Sequence, residues 1–283
     1  MRKALFLAIA LVTVLVLASC VTEADPTGLR GVWKGEADGF DYIFTFTADG
    51  CYAIEIYNEG EYGAGDFGHF EVAEDMIVTD GGEYQFTRDG SKVIIDYWGT
   101  EIVLSRSSSF AKNNTSAVKL RGVWEGAGGL TAFASNGTFV TLGYAALLTD
   151  YSVEDGMLVI DGNSNAYMII NSKLYIQDDY DVFNGAYVQM FTRKTDTGTD
   201  YTAKNYLPTY SPWHLVDMSY GSNHYIYRFN TDGTYTEEYY YQDETDRSYS
   251  NGTYTYANHV IELSDNGDLA FAIIDQSAFM FSI

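Results

Sequence analysis

Apolar and polar residues alternate over 41–47, which sets Tyr42, Phe44 and Phe46 on one face. A period of two over so short a run predicts a half-buried β-strand. Ala48-Asp49-Gly50 predicts a hairpin turn, because Asp-Gly readily takes the positive φ angles a tight turn needs. The return strand, 51–57, sets Ile54 and Ile56 opposite to Glu55. Residues 58–65 are rich in Gly and Glu and read as a loop. Further strands are expected over 68–72, 76–79, 83–87, 92–97 and 101–105, with turns at Glu74-Asp75, Asp80-Gly81-Gly82 and Asp89-Gly90. With a strand around Trp33, that is about eight strands in roughly 78 residues, and no stretch shows helical spacing.

The plan recurs. Leu29-Arg30-Gly31-Val32-Trp33-Lys34-Gly35 returns as Leu120-Arg121-Gly122-Val123-Trp124-Glu125-Gly126, and more weakly as Ser211-Pro212-Trp213-His214-Leu215. The tryptophans lie 91 and then 89 residues apart, a fixed period that marks a repeated unit. Three modules follow, 29–106, 120–194 and 211–283, joined by polar linkers 107–119 and 195–210. The second has its hairpin at Ser135-Asn136-Gly137. The third has Tyr225, Tyr227 and Phe229 on one face, a hairpin at Thr231-Asp232-Gly233-Thr234-Tyr235 and a strand through Gly252-Thr253-Tyr254-Thr255-Tyr256. The third module shows no eighth strand. Either seven strands complete it, or the linker around 201–206 donates one. Removal of 278–283 is expected to unfold it. A six-bladed propeller, two blades per repeat, is the competing arrangement; the polar linkers argue against it, because blades pack directly on their neighbours.

The amino terminus reads as an address. Arg2 and Lys3 precede an apolar run over 4–18, a length that suits a secretory segment and falls short of a membrane-spanning helix. Leu17-Ala18-Ser19-Cys20 follows, and resembles the lipobox of bacterial lipoproteins. That resemblance implies a signal peptide over 1–20, acylation of Cys20 and a polar tether over 21–28. More than one acyl chain holds a protein stably to a bilayer. The expected location is the bacterial envelope, at the outer membrane or cell surface.

Gly31-Val32-Trp33 with Arg106, and Gly122-Val123-Trp124 with Arg193, resemble the Gly-x-Trp start and closing Arg of lipocalin-type barrels. The resemblance implies an all-β chain of three tandem small antiparallel up-and-down lipocalin-like β-barrels. In the first two, an Arg packs over a Trp and seals one end; Trp213 is the third such Trp, but no closing Arg follows it. Closure into barrels removes exposed strand edges. A resemblance of this kind speaks to fold, not to function.

Composition agrees with β-structure: aromatics make up 16%, with 25 Tyr and only 3 Pro. The formal charge is −23, and loss of Arg2 and Lys3 with the signal makes it −23 − 2 = −25. Such a surface repels nucleic acid, so nucleic acid is excluded as a partner. With Cys20 acylated, Cys51 has no partner for an intramolecular disulfide and reads as a small buried hydrophobe.

Reaction chemistry does not recur with the repeat. His69, His214, His224 and His259 occupy no equivalent positions and have no ligand spacing. Asp178-Asp179-Tyr180-Asp181 with Asn184-Gly185 hints at calcium, but Phe183 falls where an oxygen ligand is needed. No hydrolase motif appears, and among 39 acids no pair stands out. No cofactor and no metal are expected. Tyrosine remains: Tyr235, Tyr239 and Tyr241 share one face of a strand and Tyr240 the other, a candidate surface for a glycan, a peptide or an envelope protein.

The expectation is therefore a non-enzymatic, lipid-anchored protein whose modules bind or interact. The alternatives are a carrier of a small apolar ligand in one barrel, or an envelope hydrolase. Carboxylates converging inside a barrel mouth would favour an enzyme or ion site, and a filled apolar interior a scaffold.

Overall fold

The computed structural model describes residues 27–283 except 128, 143–145, 178–187, 203–205, 210, 218–222, 242–246, 266, 276 and 283. The segment 1–20 with Cys20, the tether up to 26, and the acidic run Asp178-Asp179-Tyr180-Asp181 with Asn184-Gly185 lie outside the described residues. The rest is mostly strand, with little helix, and groups into two compact units. One holds the chain up to Ile54 with Gly68–Lys112; the other holds Glu55–Phe67 with Asn113–Ile283.

The first repeat is a closed antiparallel barrel in sequence order: β1 (Gly31–Ala37), β2 (Phe40–Phe46), β3 (Cys51–Asn58), β4 (Glu61–Ala73), β5 (Met76–Thr79), β6 (Gly82–Asp89), β7 (Lys92–Tyr97) and β8 (Thr100–Ser108). Alternation carries Phe44, Phe46, Tyr52, Ile54, Phe86, Ile95 and Leu104 inward, all buried. An eight-stranded barrel is just wide enough for such side chains to fill it. Cys51 is buried as well.

Residues 58–65 are not a loop. Only Glu59 and Gly60 turn, with φ of 51° and 84°, and β3 and β4 run on as a long hairpin. Within the second unit, Glu55 on that hairpin is 1% exposed and fully engaged. It accepts from Tyr175 Oη at 2.7 Å, Lys173 Nζ at 2.5 Å and Tyr57 Oη at 2.5 Å. Burial, reinforced by the Glu55 charge, pushes the Tyr175 phenol well above its usual range. A buried carboxylate is tolerated when its lone pairs are met this way, and removal of one partner is costly. Composition hid this hairpin, because glycine and glutamate are loop formers unless distant residues satisfy them.

The second repeat forms one nine-stranded sheet: β9 (Gly122–Gly126), β10 (Gly129–Phe133), β11 (Thr138–Leu142), β12 (Leu147–Glu154), β13 (Met157–Ile160), β14 (Asn163–Asn165), β15 (Tyr167–Ile170), β16 (Lys173–Gln177) and β17 (Val188–Arg193). The spatial order is β14-β13-β12-β11-β10-β9-β17-β16-β15, so it departs from the expected eight. The extra strand arises at Asn165, whose buried amide donates to the Asn163 carbonyl at 3.1 Å and breaks the run into β15. The sheet curls on one core containing Trp124, Phe133, Phe139, Leu174 and Phe191. The expected linker 107–119 is structured in part. Asn113 bridges to Ile170, Asn114 N donates to the Ile169 carbonyl at 2.7 Å, and Ala117–Leu120 forms a one-turn helix, α1, capped by Ser116.

Among the described residues the third repeat has seven strands in order: β18 (Trp213–Asp217), β19 (Asn223–Phe229), β20 (Thr234–Tyr241), β21 (Ser248–Ala257), β22 (Val260–Leu263), β23 (Leu269–Ile274) and β24 (Ser277–Ser282). Here β22 pairs only with Leu269 and Ala270, and the linker takes over beyond it, Tyr201 N donating to the Ile273 carbonyl at 2.8 Å. That linker also holds a short helix, α2 (Tyr206–Thr209), whose Leu207 is buried in the third core.

The linker 195–210 is fastened rather than loose. Asp275 accepts from Thr195 and Thr197 hydroxyls, from Gly198 N at 3.1 Å and from Thr199 N at 2.8 Å. The second and third sheets share an apolar cluster as well: Val123, Ala132, Ala134 and Val140 pack with Ala270, Ala272, Ile274, Phe279 and Phe281. No helix among the described residues is long and apolar enough to cross a membrane.

Candidate functional site

The β19–β20 hairpin is set locally. Gly233 has φ of 85°, and Asp232 accepts from Thr234 N at 3.0 Å and Thr234 Oγ1 at 2.7 Å. The Thr234 hydroxyl, then its amide, holds the Asp232 carboxyl below the usual range. Pairing then places Phe229 opposite Tyr235, Tyr227 opposite Glu237, Tyr225 opposite Tyr239 and Asn223 opposite Tyr241. All of these point to the same face, because side chains on a strand alternate.

Tyr235, expected on a binding surface, is instead core at 1% exposed. The reason lies across the sheet. Gly252 pairs with Tyr235, and a Cβ there would stand 2.9 Å from the Tyr235 ring. The first barrel repeats the device, since a Cβ on Gly68 would stand 3.3 Å from the Tyr52 ring. Tyr52 and Tyr235 each follow their Asp-Gly turn by two residues, so they are the same position of the repeat.

Two residues beyond, the repeats diverge. Ile54 stands there in the first, Thr141 in the second and Glu237 in the third. Ile54 and Thr141 are buried, and Thr141 is met by Thr131 Oγ1 at 3.0 Å. Glu237, 8% exposed, accepts from Ser250 Oγ at 3.2 Å. Burial, then the Glu237 charge, drives the Tyr227 phenol far above its usual value. Beyond Glu237 the inner face opens. Tyr225 and Tyr239 lie 5.1 Å apart by ring centroids, Tyr239 Oη donates to Asn223 Oδ1 at 3.1 Å, and Tyr225, Tyr239 and Tyr241 are each half-buried.

Tyr240 faces the other way and is already covered. His224 stacks on it at 4.7 Å with 1° between planes, and the Arg247 guanidinium lies 4.5 Å over its ring. Arg247 and Arg228 grip Glu238, the latter at 3.2 Å, and hold its carboxyl below the usual range. The tyrosine stripe thus divides: Tyr235 is core, Tyr240 belongs to a charge-balanced outer face, and Tyr239 and Tyr241 face inward with Tyr225, Asn223 and Glu237.

At the other end of each repeat lie the tryptophans. Trp33 Nε1 donates to the Leu29 carbonyl at 2.5 Å and Trp124 Nε1 to Leu120 at 2.7 Å, in both cases four residues back. Arg106 lies 4.5 Å over Trp33 and donates to the Gly28 carbonyl; Arg193 lies 4.0 Å over Trp124 and donates to Arg121 O at 3.0 Å. Trp213 reaches back six residues to Leu207 O at 2.9 Å and meets Phe271 edge-on at 4.9 Å.

Among the described residues no group of three or more His, Cys, Asp or Glu is arranged to hold a metal ion. The histidines scatter. His69 faces Asp80 at 3.8 Å in the first barrel, and His259 meets Asp200 at 3.2 Å in the second unit. Two features were not singled out from sequence: Glu237, whose parity with Tyr235 places it inside, and Trp98, exposed at a hairpin tip of the first barrel.

No protein-family model matches the chain. No curated protein matches it either. Among solved structures, the Helicobacter pylori beta clamp in complex with 5-chloroisatin aligns at 8% identity and TM-score 0.21, over 89% of this chain and 77% of that one. A Pseudomonas aeruginosa sliding clamp bound to griselimycin aligns at 10% identity and TM-score 0.20, over 92% of each chain. At such TM-scores neither carries a fold or a function over to this chain.

Proposed function

We propose that this chain is a lipid-anchored bacterial envelope protein built from lipocalin-like repeats, which binds its ligand without transforming it. The binding surface is the open inner face of the third sheet, and the ligand is polyhydroxylated, a glycan. The observation behind this reading is the Glu237 position. Where the other repeats bury Ile54 and Thr141, the third buries a carboxylate beside half-exposed tyrosines. Tyrosine rings cover the C–H faces of a sugar, while the carboxylate and the Asn223 amide engage its hydroxyls. A few placed polar groups in an aromatic lining set orientation and specificity. The filled apolar interior of the first barrel supports a scaffold role there rather than a carrier.

Calorimetric titration of the chain from Val21 onward with soluble peptidoglycan fragments tests this. Binding is expected, and Tyr239→Ala or Glu237→Gln should weaken it tenfold or more. Unaltered affinity in both variants, or an apolar molecule retained in native mass spectrometry, would refute it. Anchoring has its own readout: palmitate label incorporated by the natural chain should vanish in Cys20→Ser.

A further inference from the structure

The first barrel ends, away from Trp33 and Arg106, in a rim that the function proposed above does not use. At its tip Trp98 is 73% exposed. It stands edge-on to Tyr84 and Tyr97, with centroids 6.1 Å and 6.5 Å away and planes at 77° and 78°. Tyr97 in turn meets Tyr42 at 6.1 Å, so the exposed indole is the outer end of an aromatic series reaching into the core.

The backbone makes this indole unusual. Trp98 has φ of 54° and Gly99 φ of 86°, the pattern of a two-residue hairpin turn. The same pattern occurs at Asp38-Gly39, Glu59-Gly60, Asp155-Gly156 and Asp161-Gly162, where the first residue is always acidic. A bulky side chain there is an outlier, and strain held at an exposed position accompanies function. Folding does not account for it, because an aspartate would make the turn more readily.

Charge identifies the occupant. Asp38, Glu83, Asp96 and Glu101 surround the tip and are exposed. Asp96 Oδ1 accepts from Gly99 N at 2.8 Å, and Asp38 Oδ2 from Thr100 Oγ1 at 3.4 Å. None of the four makes a salt bridge among the described residues. They run from β6 through β7 and β8 to the β1–β2 turn, and adjacent strands lie about 4.8 Å apart. That spread is wider than a single ammonium group. We infer that this rim docks a basic segment of a partner polypeptide, with an arginine stacked on Trp98 and its neighbouring basic residues on the carboxylates. Guanidinium groups favour tryptophan faces, and exposed tryptophans anchor protein interfaces.

The test uses the full chain and a fluorescein-labelled deca-arginine peptide, followed by anisotropy at 0.15 M salt. Trp98→Asn should raise Kd tenfold or more, as should the pair Glu83→Gln and Glu101→Gln. Asp89→Asn, at the opposite end of the barrel, should change it less than twofold. The Trp98→Asn chain should melt no lower than the parent, because asparagine suits the turn, so loss of binding will not reflect unfolding. The inference is overturned if Trp98→Asn leaves Kd unchanged, if every neutralised acid weakens binding alike, if the peptide does not bind, or if choline competes with it at equal concentration.

Discussion

The first barrel and the third sheet are built on one inward-facing series. Tyr42, Phe44, Phe46, Tyr52 and Ile54 in the one correspond to Tyr225, Tyr227, Phe229, Tyr235 and Glu237 in the other. The aromatic positions hold their place, together with the glycine opposite each buried tyrosine. The last position changes from an alkyl group to a carboxylate. The difference separates what the repeat needs in order to fold from what one copy has taken on besides. The first barrel instead carries its odd feature, Trp98, outside, at a hairpin tip.

The largest effect should come from removing the shared packing of the third sheet. Deletion of 278–283 takes Phe279 and Phe281 from the common cluster and Met280 from the third core. Each buried Phe is worth about 3–5 kcal/mol. The calorimetric transition of the third repeat should disappear, while that of the first barrel remains. The exchange at the divergent position should come next and be asymmetric. Ile54→Glu should destabilise the first barrel by about 3–5 kcal/mol in urea unfolding, because it buries a charge with no partner. Glu237→Ile should stabilise the third repeat by about 1 kcal/mol while removing ligand binding, a common trade at functional sites. Equal and opposite effects would show that Glu237 is a packing residue and nothing more.

A smaller effect distinguishes the two His–Asp pairs. His69 and Asp80 are 73% and 69% exposed in their side chains, so their pairing contributes little. His259 and Asp200 are 19% and 11% exposed. The Asp200 hydrogen bond raises the His259 imidazole above its usual value, against the effect of burial. Burial alone would raise Asp200, but His259 and Thr202 hold it at about 2, from 3.8. The His259 contribution is thus complete below its unfolded value near 6.5 and is lost as pH rises through its higher folded value. The Asp200 contribution is present above its unfolded value and lost as pH falls toward 2. Melting of the second unit should therefore decline as pH rises above about 6.5, by about 1 kcal/mol or less after solvent screening. His259→Gln should flatten that decline, and a first-barrel transition that moved as much would remove the distinction.

Much of the architecture was legible because it is local. Period-two alternation and Asp-Gly turns act over neighbouring residues, so the eight strands of the first barrel and the β19–β20 hairpin could be read directly. What escaped depends on distant residues. Both faces of β20 carry tyrosines, so parity alone does not say which face is buried; Gly252, on the next strand, decides it for Tyr235. Glu237 shares that parity but was lost among 39 acids. The hairpin around Glu59-Gly60 looked like a loop because Lys173 and Tyr175, which satisfy its Glu55, lie about 120 residues on. Asn165 split a strand through its own amide, which alternation does not register.

The alanine-rich contact between the second and third repeats has a consequence in time. Val123, Ala132 and Val140 reach their cover only when β23 and β24 arrive, and β24 supplies Phe279 and Phe281. A chain synthesised from its amino terminus would present the second repeat with one greasy flank bare until the third is complete. Its escape from aggregation then depends on how fast the remainder follows, or on a chaperone that shields that flank meanwhile.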